Sequence, residues 1–316
     1  MEIYYKKASV IFLGCLFSVF LTATVSGQNM FRKMMDFDGD GKADFAVTRD
    51  IGGTKYWYIW QTTNGFSVFP WGIPTDENAP GDFDGDGKFD PAVYRNEFLP
   101  PNSRGYAFWV LGSQYGVHNF AFVTNNYPNS VAHQQDYNGD NQTDVAWTYG
   151  SSGDRTQFFV WFSSGGTIGL SSPGGTLIKL GDTTGDGKAE NAGFNSSTGV
   201  VTIRNFATGA TQTFQFGAAG DEFMPADFDG DGKGDLTIFR PSNGQWWWMR
   251  SSDNVINATT FGTTGDVPVP ADYDGDGKTD IAIWRAGAQS NYWVYGSQVG
   301  IFVFSWGISG DSIVHY

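Results

Sequence analysis

A nine-residue acidic loop recurs six times along the chain, and its spacing narrows the folds the chain can adopt. The pattern is Asp-aromatic-Asp-Gly-Asp-Gly-Lys-x-Asp, beginning at Asp36, Asp82, Asp227 and Asp272, with looser copies at Asp136 and Asp182. Successive starts lie 46, 54, 46, 45 and 45 residues apart. A repeat of this length marks one supersecondary unit that buries its apolar face only against its neighbours.

Each unit has the same internal order. A short β-favouring run follows the loop, as in Phe45-Ala46-Val47 and Ile281-Ala282-Ile283-Trp284. After a turn comes an aromatic strand, as in Tyr56-Trp57-Tyr58-Ile59 and Trp246-Trp247-Trp248-Met249, reduced in the fourth unit to Val200-Val201-Thr202-Ile203. A strand ending in aromatic-Gly comes next (Trp71-Gly72, Phe216-Gly217, Phe261-Gly262, Trp306-Gly307), and a last strand enters the next loop. Four short strands per unit and six units predict an all-β chain, a β-propeller of six four-stranded blades. An aromatic content of 17% fits blades that pack on both faces, so the Trp246–Trp248 stripe is expected between blades. Ring closure stays open. Phe31–Met35 fills the strand slot before the first loop and Ser312–Tyr316 fills the same slot after the sixth unit, so the last segment either joins the first blade or begins a further, seven-fold or incomplete ring.

The loop chemistry points to a hard cation. Carboxylates at the first, third, fifth and ninth positions, with a backbone carbonyl at the seventh, supply the several oxygens calcium takes. The expected metal set is Asp36, Asp38, Asp40, Lys42 and Asp44 in the first loop, and Asp82, Asp84, Asp86, Lys88 and Asp90 in the second. The third has Asp136, Asn138, Asp140, Gln142 and Asp144; the fourth has Asp182, Thr184, Asp186, Lys188 and Glu190. The fifth has Asp227, Asp229, Asp231, Lys233 and Asp235, and the sixth Asp272, Asp274, Asp276, Lys278 and Asp280. The seventh residue enters through its carbonyl, which frees its side chain to point away. Four loops keep every ligand. The third substitutes Asn138 and Asn141, both tolerable; the fourth, with Thr184 and Glu190, is expected to be the weakest or empty. An EF-hand is excluded, because it needs a Glu at the twelfth position and flanking helices, whereas Val47, Val93, Trp147, Gly193, Ile238 and Ile283 stand there. Zinc is disfavoured by the lack of Cys or His near any loop, and magnesium by its reluctance to dehydrate.

The formal charge of −14 follows from the loops more than from a binding surface. Four acids in each full loop and three in each of the others make 22 of the chain's 33. The remaining acidity disfavours nucleic acid.

Residues 1–27 have a signal-peptide layout. Lys6 and Lys7 precede an apolar run from Ala8 to Leu21, and a cut after Gly27 would begin the mature chain at Gln28. That run is short for a membrane span, so no membrane insertion is expected after cleavage. Cys15, the chain's one cysteine, would leave with the signal, so a mature domain over residues 28–316 must be cross-linked by something other than disulfides.

With these loops, their following strands and the aromatic-Gly pairs, the chain from about residue 30 to 316 resembles the FG-GAP/VCBS repeat proteins. The resemblance implies a calcium-binding propeller related to the integrin α-subunit head, located outside the cell or at its surface. The expected function is an adhesion or glycan/protein-recognition module, partnered by an extracellular glycan or protein, with calcium in a structural role. A purely structural module is a further reading. So is a polysaccharide lyase or hydrolase, which would draw acids from Asp76, Glu77, Glu97, Asp154, Asp221, Glu222, Asp253, Asp266 and Asp311 and bases from His118, His133 and His315. Asp221, Asp266 and Asp311 share one repeat position after a glycine, which suits a turn, and no nucleophile motif appears, so no enzyme is expected. Candidate ligand contacts are the irregular stretches Asn96–Arg104 and Asn125–Asn129 of the long second unit.

Overall fold

Each apolar run becomes the second strand of an antiparallel blade, with the acidic loop leading into it. The computed structural model describes residues 30–99, 103–123, 130–149, 157–206 and 208–316. The expected signal, Cys15, Asp154 and the stretch Asn125–Asn129 lie outside the described residues.

After one helical turn, α1 (Met30–Lys33), the chain forms β1 (Phe45–Ile51), β2 (Thr54–Gln61) and β3 (Gly65–Pro70) of the first blade. The second blade holds β4 (Glu77–Asn78), β5 (Ala92–Leu99), β6 (Ser103–Gly112) and β7 (Gly116–Val123). The third holds β8 (Val131–Ala132), β9 (Val145–Tyr149), β10 (Gln157–Trp161) and β11 (Thr167–Ser171); the fourth β12 (Thr176–Ile178), β13 (Asn191–Asn195), β14 (Val200–Arg204) and β15 (Thr211–Gln215). The fifth holds β16 (Glu222–Met224), β17 (Leu236–Arg240), β18 (Gln245–Met249) and β19 (Ile256–Thr260). The sixth holds β20 (Val267–Pro268), β21 (Ile281–Arg285), β22 (Gln289–Gly296) and β23 (Gly300–Ile308), and the chain ends after β24 (Ser312–Ile313). The six sheets have four strands each, and the molecule is a six-bladed β-propeller.

The last strand closes the ring. β24 pairs with β1, Val47 opposite Ile313 and Thr48 opposite Ser312, so the first blade takes one strand from the C-terminus. This sets aside the seven-fold and incomplete rings. It also corrects the strand expected at Phe31–Met35: β24 occupies that edge of β1, and the N-terminal segment coils into α1 instead. Phe31 is buried, and a Cβ on Gly181 or Gly234 would meet its ring at 2.6 or 3.2 Å, so it packs against the fourth and fifth units. Lys33, also buried, pairs with Asp82 of the second unit at 2.9 Å. Both chain ends thus bind blades remote from them in sequence.

A second correction concerns the long unit. The 54-residue spacing does not insert an irregular loop at Asn96–Arg104; it lengthens a hairpin, with β5 pairing β6 from Ala92↔Val110 out to Leu99↔Ser103. Pro100 to Asn102 between them lie outside the described residues.

The core lies between blades. On β18, Trp246 and Trp248 pack with Phe239, Ile281 and Ile283 on the side of the sixth blade, while Trp247 turns to Ile203 and Phe216 of the fourth. That alternation is the period-two geometry of a strand buried on both faces. Trp57 is fully buried and donates its indole N–H to the carbonyl of Trp71 at 2.9 Å. Emptying such a site costs about 3–5 kcal/mol. Across the closing interface, Phe45 stacks on Phe304 and Tyr273, and the Tyr292 hydroxyl donates to the carbonyl of Ala46 at 2.8 Å.

Candidate metal centres

The nine-residue loop is shaped by its own carboxylates. The first aspartate accepts the N–H of the fourth residue on one oxygen and that of the sixth on the other; in the first loop these are Gly39 at 2.6 Å and Gly41 at 2.8 Å from Asp36. Both glycines have positive φ, +81° and +85°, a conformation in which a side chain is strained. In the third loop Asn141 takes the sixth position at φ +67° and still donates to Asp136 at 2.8 Å. The fifth carboxylate accepts the N–H of the seventh residue, as Asp40 does from Lys42 at 2.9 Å.

The seventh side chain does point away from its own loop, and it has a destination. Lys88 lies over Gly39, Gln142 over Gly85, Lys188 over Gly139, Lys233 over Gly185, Lys278 over Gly230 and Lys42 over Gly275. Each stem thus covers the fourth-position glycine of the loop before it, and the sixth contact returns to the first loop. Beside these stems, a cavity of about 750 Å³ opens among the first aspartates of four loops, with Arg32, Lys33 and Tyr316 in its wall.

The carboxylates gather as hard-cation groups. In the four full loops the first, third and fifth carboxylates offer oxygens within 4.8 Å of one another: Asp36, Asp38 and Asp40; Asp82, Asp84 and Asp86; Asp227, Asp229 and Asp231; Asp272, Asp274 and Asp276. In the fourth loop the group is Asp182, Asp186 and Glu190. The ninth aspartate stands apart from the three. One of its oxygens accepts the second residue's N–H and the other accepts an N–H from the next hairpin, as Asp44 does from Phe37 at 2.7 Å and Thr62 at 2.8 Å. Carboxylate oxygens have further lone pairs, so a bond to a cation stays open to it.

Two observations mark these groups as short of positive charge. Oδ1 of Asp84 and Oδ1 of Asp274, third-position atoms of the second and sixth loops, are buried without a hydrogen-bond partner, an arrangement a structure tolerates poorly. Burial, reinforced by neighbouring carboxylates, also pushes the ninth aspartates up, Asp44 to about 8 and Asp90, Asp144, Asp235 and Asp280 to about 7. The donors are all oxygen, and the residues fit a hard cation.

The FG-GAP-like repeat family matches residues 36–93 and 227–283, which hold all four full loops. In these two segments the chain carries FG-GAP-like repeats. The repeat's loop and strand continue through the other blades in the structure, beyond the matched segments. In fold the chain is similar to the crystal structure of TolB from Acinetobacter baumannii, with TM-score 0.58 and 11% identity over 88% of this chain and 66% of that one. It is also similar to that of AofleA from Arthrobotrys oligospora, with TM-score 0.55 and 10% identity over 91% of this chain and 90% of that one. The chain spans just under two-thirds of the length of TolB, and at these identities the likeness is one of fold. No curated protein matches the chain.

Six of the nine candidate acids outside the loops are engaged elsewhere. Asp76, Asp221, Asp266 and Asp311 each form a bidentate pair with an arginine: Arg95, Arg240, Arg285 and Arg49. Each also accepts the N–H of the residue three before it, which for Asp221, Asp266 and Asp311 is the turn role their shared position suggested. Three of these arginines lie over aromatic rings, Tyr58, Trp109 and Trp293. Glu97 accepts the Trp109 indole N–H at 2.6 Å, and Asp253 pairs with Arg250. His133 meets the Thr148 hydroxyl at 3.3 Å, His118 packs edge-on to Tyr115, and His315 lines the far end of the axis with Glu77, Lys179 and Glu222. Repeat position alone identified the Asp221, Asp266 and Asp311 turns; their arginine partners, 19 residues away or across the ring closure, carried no local sign.

Proposed function

We propose that this chain is a secreted, calcium-binding propeller that serves as an adhesion or glycan/protein-recognition module, with calcium as the cross-link a disulfide-free domain lacks. The observation that carries the calcium reading is the pair of buried, unpartnered oxygens on Asp84 and Asp274, each within a group of three carboxylates. Calcium accepts six to eight oxygens at ~2.3–2.6 Å, and a divalent ion would satisfy those atoms while cancelling the repulsion that otherwise opens the loop. The extracellular location is supported by the FG-GAP-like repeats, and among the described residues no helix is long and apolar enough to cross a membrane.

Recognition is favoured over catalysis by the engagement of six of the nine candidate acids outside the loops. Calcium holds the blades, and binding falls to the surfaces they carry; the extended β5–β6 hairpin departs from the other blades and is the first place to look. Calorimetric titration of calcium into chelator-stripped protein tests the metal arm: saturable binding of several ions per chain, far stronger than that of magnesium, is expected, and no heat above dilution would refute it. An array of glycans and extracellular proteins tests the recognition arm, where competable hits are expected. Release of reducing or unsaturated sugar ends would move the chain to the enzymes.

A further inference from the structure

The fourth loop differs from the others in how its oxygens are served. In five loops the hairpin residue facing the ninth position, Thr62, Ser113, Ser163, Ser251 or Ser297, donates its backbone N–H to that carboxylate at 2.7 to 2.8 Å and its hydroxyl to the fifth-position aspartate. In the fourth, Asn205 stands there and sends its side-chain amide into the group. Its Nδ2 lies 3.4 Å from Thr184 Oγ1, 3.2 Å from Asp186 Oδ2 and 3.3 Å from Glu190 Oε1. These atoms belong to the third, fifth and ninth positions, and Asp186 and Glu190 are two of the three carboxylates that gather in this loop.

The amide is held in that orientation from behind. Asn205 Oδ1 accepts both the backbone N–H and the hydroxyl of Thr208 at 2.8 Å each. Turning the amide over would place its carbonyl against the Asp186 and Glu190 carboxylates and its NH₂ against the Thr208 backbone N–H, losing those three bonds. Two hydroxyls complete the set. Thr183 Oγ1 donates to Glu190 Oε2 at 2.7 Å, and Thr184 Oγ1 donates to Glu190 Oε1 at 3.0 Å. The contrast with the second and sixth loops is direct, since those retain buried oxygens with no partner.

We propose that the side-chain amide of Asn205 stands in for the metal ion in the fourth loop, so that this blade closes without calcium. A cation at ~2.3–2.6 Å from the same oxygens would fall on the amide hydrogens, and the loop has three carboxylates where the full loops have four. The proposal rests on the calcium reading of the other loops. It makes the closure of the fourth loop independent of calcium.

The test is metal counting on the full mature chain, equilibrated with calcium and freed of unbound ion, for the natural sequence and for Asn205→Asp. That substitution keeps the shape and turns the donor into an oxygen, so the variant is expected to hold one calcium per chain more than the natural protein. Equal, non-zero counts would overturn the proposal. No calcium in either protein would overturn both it and the calcium reading beneath it. A second variant separates a structural amide from a metal ligand: Asn205→Ala is expected to lower the melting temperature by the same amount in calcium and in chelator. A loss seen only in calcium would mean that Asn205 acts through a bound ion, and would overturn the proposal.

Discussion

The backbone N–H of Ala43 donates to the carbonyl of Asp272 at 2.7 Å, joining the first acidic loop to the sixth where the two ends of the chain meet. The same bond, from the eighth residue of one loop to the first of the loop before it, recurs at Phe89–Asp36, Thr143–Asp82, Ala189–Asp136, Gly234–Asp182 and Thr279–Asp227, at 2.6 to 2.8 Å. The first residue of each loop therefore shapes its own turn through its carboxylate and anchors the next blade through its carbonyl. Local order in a loop and order around the ring are coupled through one residue.

That closure predicts the effect of trimming the chain. Deleting residues 312–316 removes the strand paired to β1 and the buried Val314. Lost burial and pairing amount to roughly 4 kcal/mol or more, and at about 2 °C per kcal/mol for a chain of this size the melting temperature should fall by about 8 °C or more in calorimetry.

The orphaned oxygens predict a change of sign. Asp84→Asn and Asp274→Asn remove the charge from a carboxylate that keeps one buried oxygen without a partner, so in chelator each should raise stability by about 1 kcal/mol or more. With calcium present each removes a charged ligand and should lower it. Urea unfolding of each variant in the two conditions checks the reversal.

The raised ninth aspartates set a pH dependence. A carboxyl whose pKa is higher folded than unfolded stabilises the fold fully below the unfolded value, near 4, and loses that contribution as pH climbs through the folded value. With Asp90, Asp144, Asp235 and Asp280 at about 7 and Asp44 at about 8, the ion-free protein should lose stability steadily from about pH 4 to pH 8. Calcium competes with those protons, so the gain from calcium should grow with pH across that window, and binding near pH 7 should release protons. Melting curves in chelator at pH 5 and pH 8, and calcium titrations in buffers of different protonation enthalpy, measure both effects.

Lys33 predicts an exchange between a built-in cation and a bound one. Its ammonium pairs with the first carboxylate of the second loop, Asp82, and both side chains are buried. Lys33→Met should cost about 3 kcal/mol in chelator, because it leaves that carboxylate without its partner. A smaller loss is expected in calcium, and denaturant unfolding in the two conditions compares them.

The blades and loops were legible in the sequence because each unit repeats its own local chemistry: Asp36 to Asp44 dictates a turn, and Phe45 to Val47 an adjoining strand, without reference to anything distant. What joins units was not legible. Whether Phe31 or Ser312 takes the free edge of β1 depends on competition between segments some 280 residues apart, and both have strand-like patterns. The second unit read as irregular because Pro and Asn cluster at Asn96–Arg104, yet two flanking strands long enough to pair carried the hairpin to Leu99 and Ser103. In the fourth loop, Thr184 and Glu190 announced a departure from the pattern. The amide that answers it, Asn205, stands 15 residues beyond Glu190 and reaches the loop only once the blade is folded.

The central claim is that calcium holds this ring together, and thermal unfolding of the protein with and without chelator tests it most directly. A site filled at a hundredfold excess over its Kd adds about 2.7 kcal/mol, so even two of the four full loops should shift the melting temperature by about 10 °C. A fall of at least that size on chelation, reversed by calcium and not by magnesium, is the predicted result. An unchanged melting temperature would contradict the account.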